Sequence, residues 1–189
     1  TRRLSSAASD VYKRQNQTSK AIGNHSPVLE KPQDVVLFGF GRIGRLISRL
    51  ILEDTGAGET FSLKAVVVRK SKSEDLTKRA ELMRRDSVHG PFDGTIRVDE
   101  DSNTLIMNGN PVKFIYSDDP ENIDYSKLNI KNAILIDNTG ISRDKEGLSR
   151  HLNAKGISKV LLTAPTKGDL KNIVYGVNHK DISEEDNII

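Results

Sequence analysis

Val35, Val36, Leu37 and Phe38 run directly into Gly39-Phe40-Gly41-Arg42-Ile43-Gly44, and aliphatic residues then recur at Ile43, Leu46, Ile47, Leu50 and Ile51. An uninterrupted apolar run marks a strand covered on both faces. Recurrence at i, i+3, i+4, i+7 and i+8 puts one face of a helix against that sheet, with Gly56 as its expected stop. Each glycine has a mechanical reason to lie between them. Gly39 permits the tight turn, Gly41 leaves the backbone open to close approach, and Gly44 lets the helix pack against the strand. The free N–H groups and positive dipole end of such a helix hold phosphates, so the segment predicts a dinucleotide-binding strand–turn–helix unit.

The alternation continues along the chain. Leu63–Val68 reads as a second buried strand, and Leu76, Ala80 and Met83 as a second helix for which Ser71 and Glu74 offer a capping box. Short strands at Thr95–Val98, Thr104–Met107 and Val112–Tyr116, separated by turn-rich Asp99–Asn103 and Asn108–Pro111, predict an antiparallel insertion. Then come a strand at Ala133–Ile136, a helix at Lys145–Leu152 closed by Gly156, a strand at Lys159–Leu162 and a last short strand at Ile173–Tyr175. The pattern is that of the α/β class: a Rossmann-type, mostly parallel sheet flanked by helices, with a short antiparallel insertion. Ligands of such sheets bind at the carboxyl ends of the strands, which points to the loops after Phe38, Val68, Ile136 and Leu162.

Composition narrows the function classes. No apolar run approaches the ~20 residues that span a bilayer, so no membrane association is expected. Cysteine is absent, which excludes a disulfide framework, a thiolate metal site and a cysteine nucleophile within these residues. The net charge of +3 resides in residues 1–33, where six basic residues face two acidic ones; the remaining 23 basic and 24 acidic residues nearly cancel. A near-neutral body has no general attraction for nucleic acid, and none is expected as a partner. Residues 1–33 mix Ser, Asn, Gln and basic residues without period and read as a disordered tail ahead of a domain at 34–189. The Ser- and Arg-rich start has the composition of an organellar transit peptide, but Ser5–Gln15 resembles translated adapter sequence. We expect an artefact through about Gln15 and a short native linker after it.

Of the four histidines, His25 falls in the tail, His151 on a polar helix face, and His89 and His179 in turns where packing or a backbone hydrogen bond accounts for them. None has a second His or carboxylate at metal spacing, so no metal site is expected. Asp86 reads as a loop-bracing acceptor, and Arg84-Arg85 and Asp99-Glu100-Asp101 as solvated turns. The end of the second strand bears Arg69 where an NAD site ordinarily has a ribose-binding Asp or Glu, and Lys70, Ser71 and Lys72 follow. A guanidinium there suits a 2′-phosphate, so the cofactor expected is NAD or NADP.

Further motifs appear in order. Gly39-Phe-Gly-Arg-Ile-Gly-Arg45, Arg85-Asp-Ser-Val-His-Gly-Pro-Phe92, Met107-Asn-Gly-Asn-Pro111, Asn138-Thr-Gly140, Thr163-Ala-Pro165 and Gly176-Val-Asn-His179 together resemble glyceraldehyde-3-phosphate dehydrogenase, from about Asp34 to Ile189. The tail and Phe38, where most members have Asn, resemble the longer bacterial-type forms.

That resemblance implies a cofactor site at Gly39, Phe40, Gly41, Arg42, Ile43 and Gly44, with the amides of Arg42 and Ile43 meeting the pyrophosphate. It implies Thr139 and Gly140 on the nicotinamide side and Thr163 at the nicotinamide end, while Arg69 and Asp118 depart from the family pattern near the adenosine. It further implies a cytoplasmic homotetramer that oxidises a small phosphorylated aldehyde. A Cys thiolate attacks the aldehyde, hydride passes to the nicotinamide, and phosphate cleaves the thioester. In the family that Cys and the base His follow the stretch matched here, so this chain is expected to hold no catalytic residue and to be inactive alone. Erythrose-4-phosphate dehydrogenase and a non-catalytic dinucleotide-sensing module are the alternative readings.

Overall fold

In the computed structural model, which describes residues 31–54, 60–69 and 75–189, the opening apolar run forms strand β1 (Gln33–Phe38). Helix α1 (Arg42–Arg49) follows and continues into a π-helical turn at Leu50–Asp54. Next are β2 (Phe61–Val68), α2 (Asp75–Arg84), and a two-stranded ribbon of β3 (Arg85–Asp86) and β4 (Gly90–Pro91). Then come β5 (Ile96–Asp99), β6 (Thr104–Met107), β7 (Asn110–Tyr116), β8 (Ala133–Asp137), α3 (Lys145–Leu152) and β9 (Ile157–Leu162). The expectations for the tail before Lys31, for His25 and Gly56, and for Lys70–Glu74 lie outside the described residues.

Seven strands lie in the order β5-β6-β7-β2-β1-β8-β9. Neighbours from β7 to β9 are parallel, whereas β5, β6 and β7 pair antiparallel. The expected insertion is therefore not separate from the parallel sheet: its third strand, β7, also pairs in parallel with β2. Chain order reverses at β1, which is flanked by β2 and β8, and the crevice between diverging loops opens where β1 and β8 end.

Alternation along the strands divides the core between the two sheet faces. Val35 and Leu37 join Leu76, Ala80 and Met83 of α2, while Val36 joins Leu135 and Leu148 of α3. The pairing of β1 with β2 shifts between Val35 and Val36, so that Leu63 and Ala65 are consecutive partners and exposed Lys64 is skipped. That extra residue puts Leu63 and Val66 on one face although they lie an odd number of positions apart.

Three expectations are corrected. The stripe on α1 does not all face the sheet: Ile43 is 45% and Leu50 55% exposed, while Ser48 and Arg49 are buried. Close contact at Gly44 turns the helix, and the π-helical turn then brings Ile51 and Leu52 into the core. Arg49 donates to the carbonyls of Met83 (2.6 Å) and Gly90 (2.9 Å), tying α1 to the end of α2 and to the ribbon. No strand forms at Ile173–Tyr175; Asn178 closes a turn there by accepting from Val174 N and donating to Asn172 O. On the edge of β9 away from β8 the parallel neighbour is instead Ile188, with Leu162 N donating to Ile189 O at 2.7 Å. His151 is not on a polar face but buried, at 2% exposure.

Candidate functional site

The three glycines after β1 differ in what surrounds them. Gly39 has φ +97°, a conformation side chains disfavour, and a Cβ on it would lie 2.8 Å from Thr139 Cγ2. A Cβ on Gly44 would lie 2.4 Å from the carbonyl oxygen of Gly39, so the helix approaches the strand as closely as backbone permits. A Cβ on Gly41 would meet no atom within 4 Å among the described residues. Protein packing thus accounts for Gly39 and Gly44, whereas among the described residues no contact requires the bareness of Gly41. Gly41 is also the N-cap of α1, without a side-chain cap, and no acidic residue occupies the first turn. An exposed helix start of this kind has amide hydrogens and partial positive charge to offer an anion.

Gly41 opens onto a cleft of about 440 Å³. Its walls come from the ends of four parallel strands: Phe38–Gly41 after β1, Val67–Arg69 after β2, Ser117 and Asp118 after β7, and Asn138, Thr139 and Ile141 after β8. Of the residues singled out in the sequence, Gly39, Phe40, Gly41, Arg69, Asp118 and Thr139 line this cleft together. Arg42 and Ile43 lie exposed at the start of α1, and Gly44 is buried beneath it. Gly140, with φ +61°, turns the chain beside Thr139. Thr163 is not on this wall: it borders a second, largely apolar cavity of about 670 Å³, and its Oγ1 donates to Asp137 O at 3.1 Å.

Sequence reasoning did not single out Arg79, which lines the cleft beside Arg69. Its Nε donates to Asp75 Oδ2 at 2.5 Å, and a terminal nitrogen reaches the Arg69 carbonyl at 3.4 Å. The signal was its place on α2 one residue before inward-facing Ala80, at the helix edge bordering the end of β2.

The loop after β8 is organised from below. Thr139 donates to Asp137 Oδ1 from both its amide and its hydroxyl, each at 2.7 Å, and Ile141 N donates to Thr139 Oγ1 at 3.3 Å. Asp137 Oδ2 accepts from His151 Nε2 at 3.2 Å, and both side chains are buried. Burial favours the protonated carboxyl of Asp137, but the hydrogen bonds from His151 and Thr139 outweigh it and leave its pKa below the usual carboxylate range.

Asp86 does brace its loop. It accepts from the amides of Val88 and His89, each at 2.9 Å, and pairs with His89 Nδ1 at 3.0 Å; the bond from the His89 amide does most to hold its carboxyl far below the ordinary range. His179 packs against Tyr175 and accepts from Gly176 N at 3.0 Å. Arg84 is not merely solvated: it belongs to α2 and donates to Ile96 O at 2.5 Å.

A family model described as glyceraldehyde 3-phosphate dehydrogenase, NAD binding domain, matches residues 33–145. The chain is 56% identical over 173 residues to a glyceraldehyde-3-phosphate dehydrogenase-like protein of Pseudomonas aeruginosa, covering 92% of the chain and 38% of that protein. It is 38% identical over 156 residues to glyceraldehyde-3-phosphate dehydrogenase of Zymomonas mobilis, covering 82% and 43%. With the Streptococcus pyogenes enzyme it shares 36% over 151 residues, covering 80% and 41%. The chain thus spans about two fifths of the length of these relatives.

Proposed function

The chain belongs to the glyceraldehyde-3-phosphate dehydrogenase family, and on that premise we propose that it is the dinucleotide-binding half of an oxidoreductase acting on a small phosphorylated aldehyde. The observation that carries this reading is Gly41, whose missing side chain leaves open space at an uncapped helix start beside the cleft. A diphosphate fits there: the amides of Arg42 and Ile43 would donate to it, and the positive end of α1 would favour its charge. Thr139 and Gly140 would form the nicotinamide side and Thr163 its far end. When bound, the nicotinamide supplies the hydride acceptor. The protein's own part is to hold and orient it between the loops after β1 and β8.

Arg69 supports use of NADP alongside NAD. Exposed at the end of β2, its guanidinium would repel nothing on a 2′-phosphate and could bind it through two parallel hydrogen bonds. None of the 189 residues is a cysteine, so the thiolate nucleophile used by the family would come from polypeptide outside this sequence, and this chain alone would turn over no substrate. The same proposal takes the complete protein to be a cytoplasmic homotetramer.

Titration of the 189-residue chain with NADH and with NADPH, followed by nicotinamide fluorescence, tests the reading. Saturable enhancement by either nucleotide is expected. A flat response to both would contradict it.

A further inference from the structure

Of the charged residues that line the cleft among those described, two are cations, Arg69 and Arg79, and one is an acid, Asp118. Both cations stand at the end of β2, where a doubly wound sheet receives the ribose hydroxyls of the adenosine half. The function described above uses Arg69 and leaves Arg79 without a role. An Asp and an Arg four residues apart on a helix commonly form a surface ion pair that is worth little to the fold. Arg79 departs from that pattern. Its side chain is 18% and that of Asp75 11% exposed, so the pair is set into the protein. Asp75 is approached from a second element as well: Tyr116, the register partner of Val68 across β7 and β2, has its hydroxyl pKa raised by burial and then by the charge of Asp75. The guanidinium itself reaches from α2 to the end of β2, where Nη2 meets the Arg69 carbonyl at 3.4 Å.

A guanidinium has five N–H groups and no acceptor. Asp75 takes the one on Nε at 2.5 Å, the Arg69 carbonyl takes one on Nη2, and Nη1 donates to nothing among the described residues. Because the group is planar, anchoring it at Nε fixes where its outer nitrogens face. Such a fork matches the oxygens of a phosphate, whereas it cannot accept from a ribose hydroxyl as the acid of an NAD site does. We propose that Arg79 is a specificity-determining residue for the cofactor: together with Arg69 it binds the 2′-phosphate of NADP. The inference rests on the NADP reading of Arg69 and deepens it, since it adds a donor held in place by its own ion pair.

The test titrates NADPH and NADH, followed by nicotinamide fluorescence, into the wild-type 189-residue chain and into Arg79→Met and Arg79→Lys. Loss of a charged hydrogen bond is expected to weaken NADPH binding about tenfold in Arg79→Met, with NADH binding within about twofold of wild type. Arg79→Lys keeps the charge without the fork and should lose about threefold, again for NADPH alone. Should Arg79→Met fail to fold, the wild-type chain decides the matter. Its Arg79 Nε–H NMR signal should shift when adenosine 2′,5′-bisphosphate is added and stay in place with 5′-AMP, which lacks only the 2′-phosphate. Equal weakening of both nucleotides in Arg79→Met, weakening of neither, or an Arg79 signal that responds alike to both adenosine ligands would overturn the inference. The NADP reading survives that result if Arg69→Asp still loses NADPH alone. A wild-type chain that does not bind NADPH would overturn the inference and that reading together.

Discussion

The carbonyl oxygen of Gly39 lies 2.4 Å from where a side chain on Gly44 would begin. Contact this close leaves α1 no room to retreat without losing the burial of Ser48, Arg49, Ile51 and Leu52. Gly44→Ala is expected to lower stability by about 1–3 kcal/mol through overpacking. Chemical denaturation would measure it, and the predicted loss should appear whether or not a nucleotide is present.

Arg69 decides the cofactor proposal. Arg69→Asp should weaken NADPH binding at least tenfold, about 1.5–3 kcal/mol for a charged hydrogen bond removed, and should leave NADH binding equal or tighter. Parallel titrations of the variant and the wild type with both nucleotides would show it; an unchanged ratio of the two affinities contradicts the role given to Arg69.

Asp186 gives a pH dependence. Its carboxyl is held down to about 2 from an ordinary 3.8, chiefly by the hydrogen bond from Lys171 Nζ at 2.7 Å and then by the Ser183 amide. A depressed carboxyl stabilises the fold above its ordinary value and loses that contribution as protons return, so the loss should run from about pH 4 down to about pH 2. A carboxyl carbon NMR titration should place the Asp186 midpoint near 2 in the wild type and nearer the ordinary value in Lys171→Met.

Much of the fold was legible in the residues. The runs at Val35–Phe38 and Leu63–Val68 announced interior strands because parallel strands are covered on both faces, and Lys145–Leu152 announced a helix that forms over those same residues. The glycine triplet announced the site, because each glycine answers a different steric demand. Period failed where a long-range contact overrode it: the Gly39–Gly44 contact rotates the stripe of α1, leaving Ile43 and Leu50 outside. His151 looked polar among Ser149, Arg150 and Asn153 because its partner, Asp137, lies on a strand that no local pattern connects to it. Ile173–Tyr175 had strand-forming residues but no free edge, which Ile188 occupies beside Val160. Arg79 was hidden for a similar reason, since only the folded chain brings this side of α2 beside Arg69 at the end of β2.

The central claim is that Gly41 is bare to admit a diphosphate, and Gly41→Ala tests it most directly. The added methyl enters space free of described protein atoms, so unfolding free energy should stay within about 1 kcal/mol of wild type, the cost of a poorer N-cap. NADH affinity, read by fluorescence titration of the same folded variant, should fall at least tenfold. A variant that folds and binds NADH as the wild type does would contradict the account.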